Sequence, residues 1–160
     1  MAFEKVKEYF EIKGLGERVT EWEETAATVE QAAEIIGCEP AHIAKTMAFL
    51  VNNEPILIVA AGDTKIDNGK YKLQFGQKAV MISAHQVEEL VGHVPGGVCP
   101  FAVRERVSVY LDVSLKRFDI VHTAGGSVNS TIKLSVPELE ALSNPLGWVD
   151  VCKGWITHEA

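Results

Sequence analysis

Lys45 stands in an apolar run, with Ile43 and Ala44 before it and Met47, Ala48, Phe49 and Leu50 after Thr46. Removing an ammonium from water is costly, and lysine is almost never fully buried unless paired. Such a lysine is either a cation held at a ligand site or a charge on the solvent side of an edge strand, where it deters edge-to-edge pairing. A second place for chemistry is Gly92-His93-Val94-Pro95-Gly96-Gly97-Val98-Cys99-Pro100-Phe101, with three glycines and two prolines between positions 92 and 100. Glycine lets main-chain amides approach a ligand with no Cβ in the way. Successive free amides can then form a nest for an anion or a carbonyl oxygen. A plain surface turn would use the same residues.

Cys99 close to His93 allows two readings, a thiol nucleophile with its base or a small, packed cysteine. Cys38, Cys99 and Cys152 are far apart, odd in number and without a CxxC pair. They read as reduced thiols, not as a disulfide framework or zinc site. The five histidines show neither HxH nor HExxH spacing, so no metal is expected. Ala124-Gly125-Gly126-Ser127 is a third glycine cluster, followed by Asn129 and Ser130, and it lacks phosphate-loop spacing. Asp63 follows a strongly apolar segment and is either a site residue or a turn residue.

The elements that must position these residues are legible in outline. Phe3, Val6 and Phe10, with Tyr9 beside them, share one face of a helix over 3–12, which Gly14 and Gly16 should end as left-handed residues. A short strand follows at 18–21. Thr28-Val29-Glu30-Gln31 fits a capping box opening a helix with Val29, Ala32, Ala33 and Ile36 on one face, closed by Gly37. The runs 43–51 and 56–61 flank Asn52-Asn53-Glu54-Pro55 and predict a β-hairpin with Lys45 in its first strand. Residues 70–75 fit helix or loop. Two further capping boxes are expected at Ser83-Ala84-His85-Gln86 and Ser135-Val136-Pro137-Glu138, the first helix stopping at Gly92. Strands are expected at 107–111, 119–122, 130–134 and 148–152. This order is not a strict βαβα alternation, so the expected fold is α+β: a mixed, mostly antiparallel sheet, curled towards a barrel, with helices outside.

Composition narrows the function classes. A chain of 160 residues is expected to form one domain, 1–160, and at this size needs no disulfide or metal staple. The N-terminus has charges spread through it and no apolar core of a secretory signal. The longest apolar stretch, 55–62, is far short of the ~20 residues of a membrane span. A cytoplasmic protein is therefore expected. The net charge of −7 argues against tight, independent binding of nucleic acid; the nearest approach to a basic run is Lys65, Lys70, Lys72 and Lys78.

Five segments occur in an order used by a known family. They are Ile43-Ala44-Lys45-Thr46-Met47; Ala60-Ala61-Gly62-Asp63; Gly96-Gly97-Val98-Cys99-Pro100-Phe101; Val109-Tyr110-Leu111-Asp112 with Ser114-Leu115-Lys116-Arg117-Phe118-Asp119; and Ala124-Gly125-Gly126-Ser127-Val128-Asn129-Ser130. Over roughly 6–153 the sequence resembles the YbaK/ProX family of aminoacyl-tRNA editing domains, which includes the editing insertion of bacterial prolyl-tRNA synthetases. No single motif is specific; the five in register are.

The resemblance implies a free-standing deacylase that hydrolyses the ester of mischarged tRNA, with Cys- or Ala-tRNA(Pro) as expected substrates and no cofactor. The family's strand lysine maps onto Lys45 and its GxxxP loop onto Gly96, Gly97, Val98, Cys99 and Pro100. In this reading amides of the loop, at Gly96 and Gly97, bind the ester carbonyl oxygen, and Lys45 holds the tRNA end. Thr46, Asp63, Val98, Cys99 and Pro100 are expected to bind substrate, with Gly125, Gly126 and Asn129 as the opposite wall. Many relatives carry Ser where this chain has Cys99, and the resemblance puts further residues that shape the amino-acid pocket between Val19 and Thr28. The expected partner is weakly held aminoacyl-tRNA, delivered by prolyl-tRNA synthetase or an elongation factor; neither DNA nor membrane is expected. A non-catalytic module binding a small molecule or aminoacyl group is the alternative, and a cysteine hydrolase a third reading.

Overall fold

The structure is a computed structural model that describes residues 2–155. Helix α1 (Ala2–Ile12) buries Val6 and Phe10, as its apolar face requires. Gly14 ends it at φ +75°, whereas Gly16, expected to be left-handed too, opens a short 3-10 turn. Strand β1 (Val19–Glu21) leads to helix α2 (Val29–Ile36). The Thr28 hydroxyl accepts from the Gln31 amide at 3.1 Å, the Gln31 side chain accepts from the Thr28 amide at 3.3 Å, and Gly37 closes the helix at φ +84°.

The hairpin is β2 (Ala44–Val51) and β3 (Glu54–Ala61), paired antiparallel. Asn52 and Asn53 both take positive φ, the turn geometry that follows the natural strand twist. Along β2, Ala44, Thr46 and Ala48 point to one side of the sheet and Lys45, Met47 and Phe49 to the other. Ala44 and Ala48 join the main core with Val6, Phe10, Leu57 and Leu111, while Phe49 joins a second core around Tyr71 and Ile58. Strand β3 is buried on both faces after Glu54, which explains its unbroken apolar run.

Strand β4 (Lys65–Ile66) precedes α3 (Asn68–Phe75), so the segment that fitted helix or loop is helix, capped by the Asp67 carboxylate. Helix α4 (Ala84–Val91) corrects the second capping box. Its Ser83 hydroxyl makes no capping bond and donates to the Gln86 side chain at 3.3 Å; a β-region Ser83 and the left-handed Gly92 still bound the helix. Then come β5 (Ser108–Asp112), β6 (Ile120–Ala124), β7 (Ser130–Ser135), α5 (Val136–Ser143), β8 (Gly147–Val149) and β9 (Cys152–Lys153). The Ser135 capping box is formed. The strand expected over 148–152 is two strands, because Asp150 and Val151 leave the β5 edge and β9 pairs with β4 instead.

Sheet order is β1-β7-β6 in one sheet and β2-β3-β5-β8 in the other, with β4-β9 a separate ribbon. Antiparallel pairs outnumber parallel ones, which are β3 with β5 and β5 with β8. The two main sheets meet at a bridge between Ile43 and His122 and do not close into a barrel. That junction, between the start of β2 and the middle of β6, positions the site.

Candidate active site

A cavity of about 200 Å³ opens at the junction. One wall is the approach to α2, with Ala26, Ala27, Thr28, Val29 and Ala32; the floor is Ile43, Ala44, Lys45 and Thr46; the far side is His122, Thr123, Ala124 and Thr131. Gly96 and Val98 form the remaining edge. Five alanines in this lining leave room that larger side chains would fill.

Lys45 is half-buried, and its Nζ donates to the carbonyl oxygen of Thr64. Thr64 is itself fixed, its hydroxyl donating to Ala61 O at 2.7 Å. Burial pushes the Lys45 pKa down, and the charges of Cys152, Asp63 and Glu30 oppose that shift. Thr46 Oγ1 is buried and has no hydrogen-bond partner among the described residues, although its residue lines the cavity. A polar atom in that position is ready for a ligand group, since leaving it unpaired costs free energy.

The glycine-proline loop is held from below by Phe101, whose ring meets Phe10 edge-on at 5.0 Å and stacks near Tyr9 at 6.3 Å. Gly96 takes φ +84°. At Gly97 a Cβ would come within 2.7 Å of the Ser127 amide nitrogen and 2.8 Å of the Gly126 carbonyl carbon. Glycine is thus required for two backbones to touch, and this contact brings the two glycine runs of the sequence together. The Gly97 amide donates to Val94 O at 3.0 Å and is committed to the turn. The amides of Gly96 and Val98 donate to no acceptor among the described residues.

This combination of a strand lysine, a glycine loop and a small cavity agrees with a family match: residues 23–142 match the aminoacyl-tRNA editing domain. The chain belongs to that family. It is 49% identical to an uncharacterised Bacillus subtilis protein, YwhH, over 97% of this chain and 99% of the relative. It is 26% identical to EbsC of Enterococcus faecalis, provisionally described as a Cys-tRNA(Pro)/Cys-tRNA(Cys) deacylase, over 77% of this chain and 76% of the relative. Among solved structures, a provisionally assigned trans-editing enzyme for prolyl-tRNA synthetase superposes with a TM-score of 0.85 at 27% identity, covering 96% of this chain and 98% of the other. No described helix is long and apolar enough to cross a membrane.

The editing-domain cavity gathers some of the expected residues and leaves others aside. Lys45, Thr46, Gly96 and Val98 line it. Gly97, Gly125, Gly126 and Asn129 stand behind the lining. Gly125 approaches Ser130 where a Cβ would lie 2.8 Å from its Oγ, and Gly126 takes φ +96°. The Asn129 side chain donates to Trp22 O at 2.7 Å, and Val128 O accepts from the Ala26 amide at 2.7 Å, so this run holds the Ala26–Ala27 wall in place. Asp63 receives both terminal nitrogens of Arg117, at 2.7 and 3.0 Å, and is held beside the site.

Cys99 and Pro100 are buried and absent from the lining. Burial pushes the Cys99 pKa up to about 12, so the thiol stays protonated. His93 Nε2 lies 2.7 Å from Phe101 O, which can only accept, so Nε2 carries the hydrogen and cannot take a proton from the Cys99 sulfur 3.5 Å away. The pair is packed core, not a nucleophile with its base.

Sequence reasoning placed pocket residues between Val19 and Thr28 without assigning them individually, and it missed Ala32, His122 and Thr123. The alanines carry no chemical signal of their own, and His122 has no motif around it. Burial lowers the His122 pKa, with Lys133 and His42 adding to the shift.

Proposed function

We propose that this chain is a trans-acting aminoacyl-tRNA deacylase that hydrolyses the ester of mischarged tRNA, with Cys- or Ala-tRNA(Pro) as substrate. The observation that carries the reading is the alanine-walled cavity of about 200 Å³ with Lys45 and the Gly96–Val98 backbone at its edge, in an editing-domain chain. The volume and apolar wall suit a small aminoacyl side chain. The relationship to EbsC supports the same substrate class.

In this mechanism the carbonyl oxygen of the ester accepts from the free amides of Gly96 and Val98, which stabilise the negative charge that grows as water attacks. The Gly97 amide, already used within the turn, is left out of that role. Lys45, aligned by Thr64 O, holds the ribose or terminal phosphate of the tRNA. The Thr46 hydroxyl meets a polar group of the aminoacyl moiety. With a net charge of −7, most of the delivery of substrate falls to a synthetase or elongation factor that already holds the tRNA.

The test is a deacylation panel of small amino acids esterified to tRNA(Pro). Turnover of the cysteinyl or alanyl ester, with prolyl-tRNA(Pro) spared, is the expected result. No turnover with any of them would remove the deacylase and leave a binding module.

A further inference from the structure

The ribbon next to Lys45 holds two lysines that make no ion pair among the described residues. In β4 and β9, Lys65 is the register partner of Lys153, and Ile66 that of Cys152. Ile66 and Cys152 turn into the second core, so the two lysines turn outward, and both are exposed. Directly opposed side chains on an antiparallel pair have Cβ atoms only about 5 Å apart, and like charges there destabilise the sheet. Neither lysine lies in an ion pair among the described residues. The nearby carboxylates are committed first to other groups: Asp67 caps α3 by accepting from the Lys70 amide at 3.0 Å and meets Lys153 only through the longer-range attraction of their charges, and Asp150 takes the Lys70 ammonium at 3.1 Å.

The position of the pair ties it to the cavity. Lys65 follows Thr64, whose carbonyl oxygen receives Lys45 Nζ. Two residues after Lys153, the half-buried Trp155 lies over the Arg117 guanidinium, with 4.8 Å from its carbon to the ring centroid. A concentration of positive charge bordered by an aromatic surface is how proteins hold single-stranded nucleic acid. It is unexpected on a chain with an excess of acidic residues.

We infer that Lys65 and Lys153 bind backbone phosphates of the single-stranded 3′ end of tRNA, just upstream of the nucleotide that carries the aminoacyl group into the cavity. The inference rests on the deacylase reading for which RNA it names, and the repulsion between the two lysines is relieved when a phosphate lies between them.

The experiment measures binding of an uncharged acceptor-stem minihelix with its single-stranded CCA end, and of the same helix made blunt, across a salt series. The wild-type chain should prefer the CCA minihelix. The double variant Lys65→Ala/Lys153→Ala should bind it about tenfold more weakly and lose about 1.4 from the log–log salt slope, two single-strand phosphates at ~0.7 each. A Lys153→Gln chain should unfold at the same or a higher temperature than wild type, since it relieves a like-charge pair. Equal affinity and slope for the double variant, or equal wild-type binding to both RNAs, would overturn the inference. Hydrolysis is scored separately: lysine-dependent binding without turnover would remove the deacylase reading and keep the phosphate site.

Discussion

The loop from His93 to Phe101 has two sides, and they treat reactive side chains oppositely. Below it, His93 and Cys99 are fully buried, the His93 ring is tied to Phe101 O, and the thiol is held protonated. Above it, Lys45 and Thr46 border open space, and the amides of Gly96 and Val98 have no acceptor among the described residues. The residue types with the stronger intrinsic chemistry are on the inert side. What separates the sides is access: the lower one is filled by Phe10 and Phe101, the upper one is walled by alanines. Nucleophile and base identities therefore say little here until burial is known.

The largest expected effect comes from forcing the two sides apart. Gly97→Ala puts a methyl group against the backbone of Gly126 and Ser127, so the loop must shift away from its neighbour. Deacylation of mischarged tRNA should fall by about 100-fold or more, because displacements near 1 Å at a reacting centre cost that much. The melting temperature should fall as well. Activity near wild type would mean that the loop does not set the geometry of the ester.

Lys45→Ala tests the upper side alone. Rates should drop on the order of 10- to 100-fold, as expected when a charged hydrogen bond that holds the substrate, worth about 1.5–3 kcal/mol, is lost. Its fold should persist, since the ammonium is only half-buried and its removal deletes a desolvated charge. Circular dichroism and a thermal melt check the fold while deacylation checks the role.

Cys99→Ser tests the lower side. Replacing a packed thiol with a hydroxyl that must find a partner should cost about 1–3 kcal/mol of stability, read by urea unfolding. Deacylation by the folded variant should stay within about twofold of wild type, because a buried, protonated thiol has no step to perform. A large loss of turnover at unchanged stability would instead restore Cys99 to the chemistry.

The smallest effect is in pH. Burial lowers the His93 pKa from its ordinary value of 6.5, so the unfolded chain takes up a proton that the folded ring refuses. Stability contributed by the neutral ring is complete above that value and declines as pH falls below it, towards the depressed folded pKa. His122 shifts in the same direction and adds to the decline. Chemical unfolding at pH 7.5 and 5.5 should show the loss. At lower pH a second decline is expected, as Glu138, held at about 2 chiefly by its hydrogen bond to Arg18, is protonated in the unfolded chain first.

Much of the scaffold was legible residue by residue. Caps at Thr28 and Ser135, the Asn52-Asn53 turn and the left-handed Gly37 and Gly92 are local bonds or local dihedrals, so local sequence reports them. Ser83 was misread because its hydroxyl has a choice of partners and takes the Gln86 side chain. The strand over 148–152 was misread because its break depends on β4, distant in sequence, competing for Cys152 and Lys153. Of the candidate site, Lys45, Thr46, Gly96 and Val98 were legible through motif order. The Gly97 amide and Cys99 were not, since whether an amide is free or a thiol exposed depends on what packs against it.

The sequence by itself determined the family, most of the helices and long strands and the reactive residue types, because motif order, caps and periodicity are properties of neighbours along the chain. Only the tertiary structure decided which of those residues meet. It joined the glycine runs at 96–97 and 125–126 through a backbone contact, placed alanines opposite Lys45 and sealed Cys99 beneath Phe101. It also set Lys65 against Lys153. Each of these is a matter of space between segments far apart in sequence, where packing and register, rather than local preference, determine the outcome.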